Sequence, residues 1–412
     1  MSERHLCRFC GAPLERVFAD LGSSPLANSF LAAADLDRGE PFYPLCARVC
    51  ERCWLVQLPA VESSAAIFGD YAYFSSYADS WVDHARRFAA AASERFSLDA
   101  GRRVIEVASN DGYLLRHFVA RGIGALGIEP AANVAAAAAA IGVPTEVRFF
   151  GADTARDLVG RGLAADLLVA NNVLAHVPDL NDFVAGIELA LTPNGVATLE
   201  LPHLVRLVEG NQFDTIYHEH FSYFSFVTVE RVLGRHGLEI FDVDELTTHG
   251  GSLRVYARRA GAAGEPVTAK VAELLARERT LGVETAAYYE SFAERVRETK
   301  RKLLDLLIAA KRAGKSIVGY GAPAKGNTLL NYCGVRRDFL DYTVDRSPHK
   351  QGRYLPGTRI PIEAPERIFE TRPDYVLVLP WNLLDEIAGQ LAGIADWGGR
   401  LVVAIPAAKV LA

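Results

Sequence analysis

The chain has 412 residues, half of them hydrophobic and 23% charged, which suits a soluble globular protein of two or three domains. Its net charge of −6 is dispersed with no basic block, which argues against a nucleic-acid surface. The start, MSERHLCRFCG, lacks the apolar run of a signal peptide, and the longest apolar stretch, the alanine-rich 131–140, is too short for a bilayer; a cytoplasmic protein without membrane contact is expected.

In chain order, residues 1–68 come first. Four of the six cysteines form two CxxC pairs, Cys7 with Cys10 and Cys50 with Cys53. Each pair sets two thiolates at a tight turn, and two such turns make a tetrahedral site for zinc. A disulfide framework is the alternative, and nothing else in the sequence suggests secretion. Four sulfur ligands leave no open position, so the metal is expected to be structural. Cys46 lies outside the spacing and reads as a bystander, and Cys333 as a buried packing thiol. A short strand, Trp54 to Leu58, closes the unit.

Residues 69–262 alternate between strands and helices. After an aromatic segment and a helix ending near Leu98, strands are predicted at Arg103 to Ala108, Gly124 to Ile128, Pro144 to Phe149, Asp166 to Ala170 and Val196 to Glu200. Such alternation means parallel βαβ units in a doubly wound α/β sheet. Ligands sit beyond the carboxyl ends of such strands. There the first strand carries Glu106 and turns through Ser109, Asn110, Asp111 and Gly112, and the next strand ends in Glu129, placed for ribose hydroxyls. The GxGxxG of a nicotinamide enzyme is missing, and a carboxylate in the turn disfavours a pyrophosphate while tolerating a cation. This points to S-adenosylmethionine, although a helix cap at Ser109 or Asn110 accounts for the same residues. Asn171 and Asn172, past the Asp166 strand, are assigned to the same donor edge.

The stretch DTIYHEHFSYFS, residues 214–225, follows the strand at Val196 and is expected over the carboxyl edge of this sheet. Fully extended, it puts His218, His220 and Ser222 on one face and Tyr217, Glu219 and Phe221 on the other; a bend lets Tyr217, Glu219 and His220 converge. A metal site, an aromatic-rich loop with satisfied histidines, and proton chemistry are the three readings. Histidine titrates near neutral pH and has a carboxylate beside it, which favours the third. His218 and Tyr223 are assigned to substrate contact.

Residues 263–412 open with a charged helical bridge to about Ala313 and continue as a smaller α/β domain. Strands are predicted at Ser316 to Gly321, Tyr342 to Asp345, Tyr375 to Pro380 and Leu401 to Pro406. GYGAPAKGN fits a dinucleotide loop only at Gly319 and Gly321. Lys325 in that turn suits a phosphate, with Asn327, Lys350 and Arg353 as further substrate candidates.

These blocks together resemble the sugar C-methyltransferases of deoxysugar biosynthesis, the family of the tetronitrose C-3′-methyltransferase and its mycarose-pathway relatives. CRFCG with CERCW, LGSSPLANSFL with YAYFSSYADSW, EVASNDGYLL with GIEP, YHEHFSYFS, and GYGAPAKGNTLLNYCG carry the resemblance over the whole chain. It implies a zinc-binding N-terminal domain, a central class I (Rossmann-like) methyltransferase sheet, and a C-terminal domain that helps hold a dTDP-linked sugar. A ketone at C4 acidifies the proton on C3, and also that on C5; a base removes it, and the enolate takes the methyl group. By the resemblance His220 is the base, Tyr217 and Glu219 position the substrate, and His176 in NNVLAHVPD stabilises the enolate. Tyr71 and Tyr73 would form a lid over the donor. An O- or N-methyltransferase, and a zinc-module binding protein with an inactive methyltransferase sheet, are the competing expectations. The oligomeric state is left open, with a monomer plausible.

Overall fold

The structure is a computed structural model that describes residues 5–63, 75–77 and 79–411. Among the described residues there are three sheets. The N-terminal sheet orders Arg16–Ser24, Tyr43–Val49, Val56–Gln57 and Ser222–Tyr223, all antiparallel. In its second strand Leu45, Ala47 and Val49 point inward by simple alternation. The fourth strand belongs to the histidine-rich stretch, so that stretch is sewn into the zinc module as well as lying near the central sheet. The strand expected over Trp54 to Leu58 is only the pair Val56–Gln57, because Trp54 turns the chain with a left-handed φ of 65°.

The central sheet has seven strands in the order Leu238–Leu246, Ser252–Arg259, Leu191–Pro202, Ala165–Asn171, Arg103–Val107, Gly124–Ile128 and Thr145–Glu146. The last five are parallel, and Ser252–Arg259 runs antiparallel to both neighbours. The sequence reading lacks the hairpin of Leu238–Leu246 with Ser252–Arg259: it searches for strands alternating with helices, and a hairpin has none between. Helix Asp79–Arg95 covers one face with Ala85, Phe88, Ala89 and Ala92, a helical stripe of small and aromatic residues.

The bridge comprises helices Ala269–Leu281, Ala286–Glu290 and Phe292–Arg312. The last buries Phe292, Val296, Leu303 and Leu307 on one face, and Phe292 stacks on Phe18 of the N-terminal sheet at 4.5 Å between ring centres. The C-terminal sheet orders Ile362–Glu363, Thr343–Val344, Ile317–Tyr320, Tyr375–Val378 and Arg400–Val403 in parallel, with Lys409–Val410 antiparallel at the edge. Loop residues of the N-terminal module dock on this domain: the Arg359 guanidinium donates to the Leu36 and Arg38 carbonyls, and the Gly357 N–H donates to Glu40. No helix among the described residues is long and apolar enough to cross a membrane. The three units meet around a cavity of about 610 Å³, a usual size for a small-molecule site.

Candidate active site and metal centre

The four expected zinc ligands converge. The Sγ atoms of Cys7, Cys10, Cys50 and Cys53 all lie within 4.8 Å of one another, with Cys7 to Cys53 and Cys10 to Cys50 at 3.5 Å. Tetrahedral bonds of about 2.3 Å to zinc place sulfurs roughly 3.8 Å apart, so the set fits the metal. A disulfide is ruled out for these pairs, since all four thiols are free and the gaps exceed a sulfur–sulfur bond. The two turns are built alike: Cys7 and Cys50 donate their N–H to the carbonyls of Ala12 and Leu55 and accept from the N–H of Gly11 and Trp54. Gln57 Nε2 donates to Cys7 Sγ at 3.1 Å, which supports the thiolate charge. Cys46 stands outside the cluster, and Cys333 is buried in the apolar core.

At the donor edge, Ala108, Asn110 and Gly112 all adopt left-handed φ, between 51° and 77°. A Cβ on Gly112 would press to 3.0 Å from Val143, so only glycine lets the turn wind this closely. Each oxygen of Glu129 accepts one backbone N–H at 2.9 Å, from Asn110 and Ala131, leaving lone pairs for ribose hydroxyls. Asn110 and Asp111 accept from the N–H groups of Ser75 and Ser76 and so hold that turn against the sheet. Helix Leu115–Val119 begins at Leu114 with no side-chain cap, which removes the capping account of Ser109 and Asn110. Glu106 is buried; burial first, then the charges of Glu129 and Asp111, hold its carboxyl well above the usual range. Glu106 Oε2 and Asp111 Oδ1 are buried without a hydrogen bond among the described residues. The orphaned Asp111 oxygen behind a polar cleft edged by Glu129 suits a cationic ligand, so the residues fit S-adenosylmethionine. Asn110, Glu129, Asn171 and Asn172 line the cavity, while Glu106, Ser109, Asp111 and Gly112 stand behind it. Tyr71 and Tyr73 lie outside the described residues.

The histidine-rich stretch is bent rather than extended. The His220 N–H donates to the Tyr217 carbonyl at 2.9 Å, closing a turn that brings Tyr217, Glu219 and His220 onto the cavity wall. His218 points the opposite way, its Nε2 donating to the Pro44 carbonyl at 3.1 Å. His220 Nδ1 donates to the Thr215 carbonyl at 2.8 Å, so Nε2 carries the lone pair and accepts from the Tyr217 hydroxyl at 2.9 Å. His176, in the turn after strand Ala165–Asn171, donates from Nδ1 to the Glu219 carbonyl at 2.8 Å and lies 4.7 Å from His220 between ring centres. Burial pushes the His176 imidazole down to about 4 and, with His176 alongside, the His220 imidazole well below the usual range. Both rings are neutral at pH 7. The buried Glu219 carboxylate receives the Asn28 amide at 2.8 and 2.9 Å, yet burial still raises it to about 7. Tyr223 also faces the cavity, 6.0 Å from His220 between ring centres. Among the described residues only the four cysteines cluster as metal ligands, which removes the metal reading of this stretch.

From the C-terminal domain Lys325 and Lys350 reach the cavity. Lys325 Nζ donates to Asn382 at 2.6 Å and sits 4.6 Å above the Trp381 ring; Lys350 Nζ donates to the Ala322 carbonyl at 2.9 Å. Asn327 instead donates to the Ala27 carbonyl, 3.4 Å away, and Arg353 is exposed and off the cavity. Gly321 answers to packing, since a Cβ there would meet Pro380 at 2.6 Å. Sequence reasoning misses Asn28, Trp81 and His249, which also line the cavity. Asn28 sits inside LGSSPLANSFL, and the glycine pair after His249 was the available signal for the hairpin.

Comparison with known proteins agrees with this layout. Family descriptions match as a zinc binding domain over residues 7–68, a methyltransferase domain over 81–243 and a C-methyltransferase C-terminal domain over 247–406. The C-methyltransferase NovU of Streptomyces niveus is 38% identical over 405 residues, 98% of this chain and 96% of that protein. Among solved structures, magnesium protoporphyrin IX methyltransferase of Synechocystis PCC 6803 with bound SAH aligns over 43% of this chain and 83% of its own, at 14% identity and a TM-score of 0.35. An S-adenosylmethionine-dependent methyltransferase of Clostridium acetobutylicum aligns over 43% and 91%, at 11% identity and a TM-score of 0.31. With its four-cysteine zinc centre and its seven-stranded sheet, the chain belongs to the S-adenosylmethionine-dependent C-methyltransferases.

Proposed function

We propose that this enzyme acts in the cytoplasm on an NDP-linked 4-keto-deoxysugar, with dTDP as the nucleotide and carbon 3 favoured over carbon 5 as the methylated position. The observation that carries the reading is His220: a neutral imidazole, its Nδ1 proton committed to a backbone carbonyl, offering a lone pair at Nε2 inside the cavity. Such a base is of use to a carbon acid, whose proton must leave before the carbon becomes a nucleophile. When bound, S-adenosylmethionine supplies an electrophilic methyl group. Glu129, Asn110, Asn171 and Asn172 would hold it. The Tyr217 hydroxyl fixes the ring at rest and turns away from Nε2 as His220 takes the proton there. Glu219, set by Asn28, and Tyr223 shape the sugar pocket; Lys325 and Lys350 meet the diphosphate.

The test is mass spectrometry of a panel of dTDP-4-keto-6-deoxyhexoses incubated with S-adenosylmethionine, comparing the wild type with His220→Ala. A methyl group gained on carbon and lost in the variant is expected. No gain with any sugar would refute the substrate class, and a gain that survives in the variant would move the base elsewhere.

A further inference from the structure

Removing a proton beside a ketone leaves negative charge on the carbonyl oxygen, and a hydrogen-bond donor must be aimed there. The family resemblance gives that task to His176. Its geometry speaks against the task, because the Nδ1 proton of His176 is already donated to the Glu219 carbonyl. In the neutral ring Nε2 is then an acceptor, and so is Nε2 of His220. Two acceptors cannot both serve an oxyanion. The Tyr217 hydroxyl rests on His220 Nε2, and the Lys325 ammonium, which gives one of its three N–H groups to Asn382, is assigned above to the diphosphate.

A third imidazole lines the same cavity. His249 lies in the turn Thr248–Gly250 between the last two strands of the central sheet. Its ring edge faces Trp81 at 5.0 Å between ring centres, and among the described residues neither ring nitrogen makes a hydrogen bond. Its backbone is left-handed at φ 53°, a conformation that costs a residue with a Cβ of order 1 kcal/mol or more and gathers at functional sites. The turn is fixed from outside: a Cβ on Gly250 would fall 2.6 Å from Trp381 and one on Gly251 2.7 Å from Arg206. The fold thus spends strain and close packing to hold a partly buried imidazole at the cavity wall. Burial, then the Lys325 charge, lowers it to about 4, so at neutral pH it keeps one N–H and one lone pair.

We infer that His249 is a catalytic residue that donates a ring N–H to the ketone oxygen of the sugar and stabilises the enolate formed there. The inference rests on the substrate reading above. In the step concerned the C–H bond breaks, its proton passes to His220 Nε2 as the Tyr217 hydroxyl leaves that nitrogen, its electron pair forms the carbon–carbon double bond, and the carbonyl pair moves onto the oxygen facing His249. No redox partner is needed.

Solvent deuterium exchange into a dTDP-4-keto-6-deoxyhexose, without methyl donor, isolates this step. His249→Ala is expected to slow exchange about 100-fold, the usual effect of losing one oxyanion donor, while calorimetric affinity for S-adenosylmethionine stays within about threefold. Asn sets an amide where Nδ1 lies and tolerates left-handed φ, and Gln sets one where Nε2 lies. Recovery of about tenfold or more with either variant supports a donor. Exchange within about threefold of wild type in His249→Ala would overturn the inference alone, as would equal loss in all three variants. If the wild type exchanges no 4-keto sugar, the substrate reading fails and takes this inference with it.

Discussion

Glu219 joins the zinc module to the cavity and carries a measurable energetic signature. Its carboxyl ionises at about 7 in the folded protein against an ordinary 4.5, because burial outweighs the two contacts from Asn28. The unfolded chain therefore ionises this group first. Stability from the neutral carboxyl is whole below about pH 4.5 and is lost as the pH rises through 7. At 1.36 kcal/mol per pH unit, the cost of the buried charge above pH 7 is about 3 kcal/mol. Glu219→Gln keeps the shape and removes the ionisation. At about 2.1 cal/mol/K per residue, unfolding all 412 residues carries roughly 0.9 kcal/mol/K, so about 3 kcal/mol shifts the melting temperature by about 3 °C. Scanning calorimetry of wild type and variant at pH 4.5 and pH 8.5 reads it. The two should melt together at the lower pH, with the variant higher by about 3 °C at the higher pH. A difference that stays constant over this range, or the opposite sign, would refute the reasoning that burial dominates Glu219.

Two further perturbations test the frame around the site. Metal analysis should find one zinc per chain, and Cys53→Ser should lose most of it together with soluble yield, since four thiolates around one ion are interdependent; a variant with a full zinc complement would refute the four-cysteine assignment. Gly250→Ala drives a methyl group to 2.6 Å from Trp381 at a φ of 88°, so the melting temperature and the methyl-transfer rate should both fall, at a cost of about 1–3 kcal/mol; unchanged values in both would mean the hairpin yields freely.

The zinc centre is legible in the sequence because ligand chemistry and spacing are both local, and the parallel half of the central sheet because each strand is a short apolar run between helices. Gly124–Ile128 lies where the residues place it. The last hairpin of that sheet is harder to read. LEIFDVDEL mixes acids with apolar residues, and only its pairing with Ser252–Arg259 explains both. Within the histidine-rich stretch, the residues announce proton chemistry, yet the side each one faces depends on a turn closed by backbone hydrogen bonds. That turn sends His218 to Pro44 and His220 to the cavity. Asn28, Trp81 and His249 are illegible for another reason: each reaches the site from a segment distant in sequence, and no local pattern marks a residue whose partner is supplied by tertiary packing.

The fourth strand of the N-terminal sheet sets an order of events during synthesis. Gln57 pairs with Ser222, about 165 residues further along the chain. At roughly 5–20 residues per second a ribosome needs about 10–30 s to make that stretch. For that interval the module, already able to gather its cysteines, carries an open edge at Val56–Gln57, the kind of edge that recruits strands from other chains. Val56–Gln57 is only two residues long, which limits what a foreign strand can grip. Completion of the sheet then coincides with arrival of the stretch proposed to carry the base, so a nascent chain cannot seal its first sheet before that stretch exists.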